Sequence, residues 1–170
     1  MKIVHYEKID STQKEVWRRL EKKIIISADI QTDGIGTHGR TWYTTEKGNI
    51  AFSIGLELNV PVRKLENLTI EIAEIILEVF DTLYQIKLQI KHPNDIMIDM
   101  QKVGGILTET KLQGEIVKYL VIGIGINTNQ EEISTSIKKE FNTEIDNSKV
   151  IEEFCKIFDQ RLIKRLGGKI

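Results

Sequence analysis

The stretch that most constrains the fold is residues 116–126, IVKYLVIGIGI. A run this rich in β-branched side chains favours extended chain, and its apolarity places it at the centre of a sheet. Residues 2–6, 24–31, 49–58 and 86–90 read as further strands, and 96–100 with 103–112 as a hairpin around Gln101-Lys102. After Pro61, the positions Leu65, Leu68, Ile72, Ile75, Ile76, Val79, Phe80 and Leu83 recur at helical spacing, which predicts a helix packed on a sheet face. Thr12 with Glu15 forms a capping-box pattern opening a shorter helix that carries Val16, Trp17 and Leu20. Residues 131–149 are polar and read as irregular or short-helical. Val150, Ile151, Phe154, Ile157, Phe158 and Leu162 mark a last helix closed by Gly167-Gly168. Helices fall between groups of strands without strict alternation, so the expected class is α+β: a mixed, largely antiparallel sheet with helices packed on one face.

The charges, 24 basic against 25 acidic, leave no basic field of the kind nucleic acid requires. The single cysteine, Cys155, excludes an internal disulfide or a cysteine-based metal cluster and fits a reducing cytoplasm. The N-terminal MKIVHYEKID has no apolar signal core, and no apolar run reaches membrane-spanning length. The expectation is one soluble intracellular domain over residues 1–170.

Polar islands interrupt the apolar pattern. Residues 31–53 carry Gly34, Gly36 and Gly39 with Arg40 and Trp42, a long unpatterned segment between strands. Glycines let backbone approach a ligand and expose N–H groups to an anion. Arginine adds a planar donor fork and tryptophan a flat face for stacking. A plain surface loop is the competing reading. KVGGIL at 102–107 sets Lys102 beside two glycines inside a strand, where glycine is costly unless something approaches closely. It reads equally as a charged hairpin turn. Within KHPND at 91–95, Asn94 and Asp95 suit orienting a substrate group, holding hydrated Mg²⁺, or simple turn formation. Ser11 and Thr12 can be mere helix caps, and Gly125 with Asn127 a turn. His38 and His92 lack companion ligands at metal spacing, and His5 is isolated. No P-loop, complete dinucleotide fingerprint or nucleophile elbow is present. The residues alone therefore point to an anion- or nucleotide-binding α+β domain.

Six motifs together resemble the catalytic domain of the biotin protein ligases: DSTQ at 10–13, QTDGIGTHGRTW at 31–42, GNIAFS at 48–53, KHPNDI at 91–96, KVGGILTE at 102–109 and GIGIN at 123–127. Each is modest, but they occur in the family's order. The resemblance implies a class II aminoacyl-tRNA-synthetase-like catalytic domain with a mixed seven-stranded sheet. It also implies two reactions at one site. ATP and biotin give biotinyl-5′-AMP and pyrophosphate; a lysine amine of a biotin carboxyl carrier protein domain then takes the biotin and releases AMP. By this resemblance Lys102 and Arg40 are catalytic. Ser11, Thr12, Gln13, Gln31, Gly34, Gly36, His38, Gly39, Gly104 and Gly105 would hold biotin. Arg40, Thr41, Trp42, Asn94, Asp95, Lys102 and Asn127 would hold ATP and the adenylate, with Mg²⁺ carried by the nucleotide rather than by protein ligands.

The same likeness implies a cytoplasmic homodimer with no nucleic-acid or membrane partner. Ile35 and Thr37 stand where the family's loop usually carries arginines, which is expected to weaken adenylate retention, and His92 replaces a common tryptophan. Neither the family's DNA-binding domain before the catalytic unit nor its small barrel after it is expected here. A lipoate or octanoate ligase or transferase of the same fold, and a biotin-binding sensor without turnover, are the alternatives. Competition by lipoate discriminates the first, and pyrophosphate release the second.

Overall fold

The computed structural model describes residues 3–42, 44, 48–131 and 133–167. Its centre is a seven-stranded sheet: β1 (Ile3–Ile9), β2 (Lys23–Gln31), β3 (Ile50–Pro61), β4 (Gln89–Lys91), β5 (Asp95–Ile98), β6 (Gln101–Gln113) and β7 (Ile116–Ile126). The order is β1-β2-β3-β7-β6-β5-β4. Only β1 and β2 run parallel. A parallel pair needs a crossover, and helix α1 (Thr12–Arg19) supplies it. β7 pairs along nearly its whole length with β3 and β6, as its sequence predicts.

Strand alternation sorts β7 into two faces. Leu120, Ile122, Ile124 and Ile126 join the large core formed with helices α2 (Leu68–Tyr84) and α4 (Asn147–Phe158). Phe154 packs edge-on against Phe52 of β3 at 5.4 Å and stacks on Phe158 at 5.9 Å, locking α4 to the sheet. Tyr119 and Val121 point the other way and pack with Val16 under α1. The mixed, largely antiparallel sheet is thus present; α2 and α4 share one face, while short α1 lies on the opposite one.

Several local expectations shift. The β5–β6 turn is at Asp99-Met100, with Asp99 at φ 49°, and Gln101-Lys102 belong to β6. Asp in the left-handed region competes well for such a turn. The α1 cap is Ser11, whose hydroxyl accepts from Lys14 N–H, while Glu15 pairs with Arg18 and Arg19 instead of closing a capping box. The strand expected at 86–90 is only β4, although Ile86 and Leu88 are buried. Leu65 lies in a 3₁₀ turn, Val62–Leu65, ahead of α2. The polar 131–149 region contains helix α3 (Ile137–Phe141) and the start of α4, which Asp146 caps. Lys2 of the first expected strand, Gly168 of the closing glycine pair, and residues 43 and 45–47 of the glycine loop lie outside the described residues. Among the described residues no helix is long and apolar enough to cross a membrane.

Candidate active site

Helix α1 covers its face of the sheet only in part. Near its middle it approaches so closely that a Cβ on Gly55 would sit 2.4 Å from Val16 Cγ1. Beyond its N-terminus the same face continues as Ser53 on β3, Gly123 and Gly125 on β7, and Gly105 and Leu107 on β6. Three of these five are glycines, so the sheet backbone is bare. The result is a cleft floored by that glycine platform and walled by α1 and the loop after β2.

Lys102 enters this cleft through a bulge. β5 and β6 pair Ile96 with Gly104 but Met97 with Lys102, so β6 advances one extra residue there. Strict alternation from Gly105 would send Lys102 towards the α2–α4 core. With the bulge, Val103 takes that core position, fully buried, and Lys102 turns to the cleft. Its Nζ lies 2.6 Å from Asp95 Oδ1. Asp95 itself is the strand partner of Gly105, which sets the ion pair over the platform. Next to it, Asn94 is clamped to β6: its Nδ2 donates to the Ile106 carbonyl at 3.2 Å, and its carbonyl accepts from Ile106 N–H at 3.0 Å.

The opposite end is polar and buried. Thr12 N–H donates to Gln31 Oε1 at 2.8 Å, and Thr12 Oγ1 lies 2.8 Å from Ser53 Oγ. Gln13 reaches the same hydroxyl of Ser53. Two charge pairs brace this end: Lys14 with Asp33, tying α1 to the loop, and Arg18 with Asp10 just before the cap. The hydrogen bond from Arg18 holds the Asp10 carboxyl down to about 2.

The loop itself is compact. Trp42 N–H donates to Gly34 O at 2.9 Å and Gly36 N–H to Arg40 O at 2.6 Å, around a 3₁₀ turn at Thr37–Gly39. His38 and Gly39 take positive φ at its tip. Gly34 has no room for a side chain, because its Cβ would meet the Trp42 carbonyl at 2.4 Å. This fold-back seats the Trp42 indole against the platform: a Cβ on Gly125 would lie 2.4 Å from Trp42 Cε2. The indole N–H is buried and has no hydrogen-bond partner among the described residues.

The model of the biotin/lipoate A/B protein ligase family matches residues 6–127, which contain every element of this cleft. The chain belongs to that family. It is similar to the bifunctional ligase/repressor BirA of Bacillus spizizenii, at 31% identity over 94% of this chain and 53% of that protein. It also resembles the biotin–[acetyl-CoA-carboxylase] ligase of Mycobacterium tuberculosis, at 27% identity over 83% of this chain and 54% of that protein. The chain therefore spans about half the length of these curated relatives. Among solved structures, the biotin protein ligase of Aquifex aeolicus in complex with biotin and ATP superposes with a TM-score of 0.81. That match has 27% identity and covers 97% of this chain and 72% of that one.

In this biotin/lipoate ligase domain, Ser11, Thr12, Gln13, Gln31, Gly36, Trp42, Asn94, Lys102 and Gly105 converge on the cleft. Asp95 adjoins it through Lys102. Gly34 and Gly104 lie beneath it as packing positions; a Cβ on Gly104 would meet Gly125 O at 3.0 Å. His38, Gly39, Arg40 and Thr41 are exposed and outside the lining. Asn127 is at the end of β7, bonded through its N–H to Val103 O and through its side chain to Asn49. Sequence reasoning did not single out Ser53, Gly123, Ile35 or Thr37 as lining residues. The period-two glycines of GIGI were the available signal for Gly123 and Gly125, since glycine repeated on one face of a strand marks close approach. Ser53 was visible only as the last residue of the GNIAFS motif, with no role attached to it.

Proposed function

We propose that this domain activates biotin as biotinyl-5′-AMP and transfers it to a lysine of a biotin carboxyl carrier protein domain. The observation that carries the reading is Lys102, turned by the bulge over a glycine platform and held 2.6 Å from Asp95. A biotin carboxylate oxygen would attack the α-phosphorus of ATP as the bond to pyrophosphate breaks. Two anions must meet for this, and a positioned ammonium lowers their repulsion without itself reacting. In the second step the acceptor amine attacks the anhydride carbonyl, loses a proton and expels AMP.

The remaining roles follow from position. The bare backbone at Gly105, Gly123 and Gly125 would admit a flat ring and its chain, and Trp42 would close over the ligand and keep water from the anhydride. A ligand acceptor would satisfy its unpaired N–H. Asn94 and Asn127 would line the nucleotide side, and Arg40 would reach phosphate from the exposed loop. Among the described residues no three His, Cys, Asp or Glu side chains converge as metal ligands. Mg²⁺ would be brought in on the triphosphate, where it would neutralise charge on the leaving pyrophosphate. The acceptor would be met in the cytoplasm, with a homodimer as the assembly.

ATP-dependent transfer of biotin to a purified carrier domain, with pyrophosphate followed in the same reaction, tests the proposal against Lys102→Ala. Transfer that falls at least about a hundredfold in the variant is expected, the scale of removing one charge-stabilising donor. Biotin binding without pyrophosphate release would favour a sensor. Turnover with lipoate in place of biotin would move the assignment to the lipoate branch.

A further inference from the structure

Glu109 on β6 faces the α1 side of the sheet, two residues beyond Leu107 and outside the cleft lining. Its Oε2 accepts from Trp17 Nε1 at 2.9 Å and from Gln13 Nε2 at 2.8 Å. We propose that Glu109 is a positioning residue that fixes the hydrogen-bond polarity of the cleft's polar end, selecting a head group with both an N–H donor and a carbonyl acceptor. Under the function proposed above, on which this inference rests, that head group is the ureido ring of biotin.

A carboxylate only accepts and an indole N–H only donates. The Gln13 amide is therefore turned with its NH₂ to Glu109 and its Oε1 inward, against the bare backbone of Gly123. An amide oxygen only accepts, so the 3.0 Å contact there requires Ser53 to donate its hydroxyl hydrogen. Ser53 has no second hydrogen. At the 2.8 Å contact with Thr12, geometry alone leaves the donor undetermined, and the chain from Glu109 settles it as Thr12. The Thr12 hydroxyl then has only lone pairs left, so it meets the cleft as an acceptor.

Independently, the Thr12 N–H holds Gln31 by its Oε1, leaving the Gln31 NH₂ as a donor that touches Thr44 Oγ1 only at 3.4 Å. One acceptor and one donor thus line the same end of the cleft. Thr12, Gln13 and Ser53 are at most 3% exposed. Water has little access to repair a reversed chain there, so its direction persists. A lipoyl dithiolane offers neither partner.

The test measures calorimetric affinities for biotin and for the two cyclic carbamates in which one or the other ureido N–H is replaced by oxygen. These analogues keep the size and invert one donor. Wild-type protein is expected to prefer biotin over at least one carbamate by about tenfold or more. Glu109→Leu is expected to bring that preference to within about twofold. Glu109→Gln restores it, because the amide oxygen can still accept from both Trp17 and Gln13. Glu109→Met, closer in length, replaces the leucine variant if that one fails to melt cooperatively. An apolar variant that keeps the wild-type preference, or a glutamine variant that fails to restore it, overturns this inference alone. Wild-type protein that binds biotin without preference does the same. Wild-type protein that binds no biotin overturns the proposed function together with it.

Discussion

Gly125→Ala isolates the contact between the platform and the loop. Gly125 is outside the positive-φ glycines, so alanine suits its backbone, and the nearest obstacle is the indole. The added Cβ would stand 2.4 Å from Trp42 Cε2 and 2.5 Å from Nε1, where 3.4–4 Å is ordinary contact. The β7 backbone is held by ladders on both sides, whereas Trp42 sits on a loop. The ring must therefore retreat by about 1 Å, at the roughly 1–3 kcal/mol that overpacking costs. If the same seat closes over ligand, biotin KM rises about five- to a hundredfold. Trp42 emission, read in a Trp17→Phe background, should shift to the red in the ligand-free protein. Gly105→Ala is the control: its Cβ would lie 3.6 Å from Trp42 Cζ3, so the emission should stay put. A Gly125→Ala protein with both unchanged emission and unchanged KM refutes the placement of the indole on the platform.

Two further outcomes concern the frame of the site. Asp10 is held down to about 2 by Arg18, so its stabilisation is full above the ordinary carboxylate range and is lost as pH falls through about 2. With the pair 32% and 52% exposed, screening reduces the gain to about 1 kcal/mol. Urea melts of Asp10→Asn should show that deficit at pH 7, narrowing by pH 3; a gap independent of pH contradicts the pairing. Burial pushes the Cys155 thiol up to about 12. It should resist a disulfide reagent in native buffer and react once the protein is unfolded, and rapid native labelling would show that α4 does not seal it.

Much of the frame was legible in the chain itself. The β-branched run of β7, the apolar stripe of α2 and the ordered motifs all state local preferences that the fold does not override. Lys102 was legible as well, though for an incomplete reason. Its neighbouring glycines announced a close approach, but the β5–β6 bulge that turns it into the cleft is a matter of register between two strands. A sequence read along one strand contains no such information. The turn expected at Gln101-Lys102 lies instead at Asp99-Met100 for a local reason, the readiness of Asp99 to take the left-handed conformation.

What the sequence by itself determined is which residues are able to form strands, helices and a polar, glycine-lined site, because periodicity, capping chemistry and side-chain type are local properties. Tertiary structure alone decided which side chains meet. Glu109, Gln13, Ser53 and Thr12 come from three separate elements and form one directed chain only where β6, β3 and α1 converge. Arg40 and Trp42, two residues apart, part company: one stays in solvent and the other lies on the platform, because the fold-back from Gly34 to Trp42 aims only the second inward.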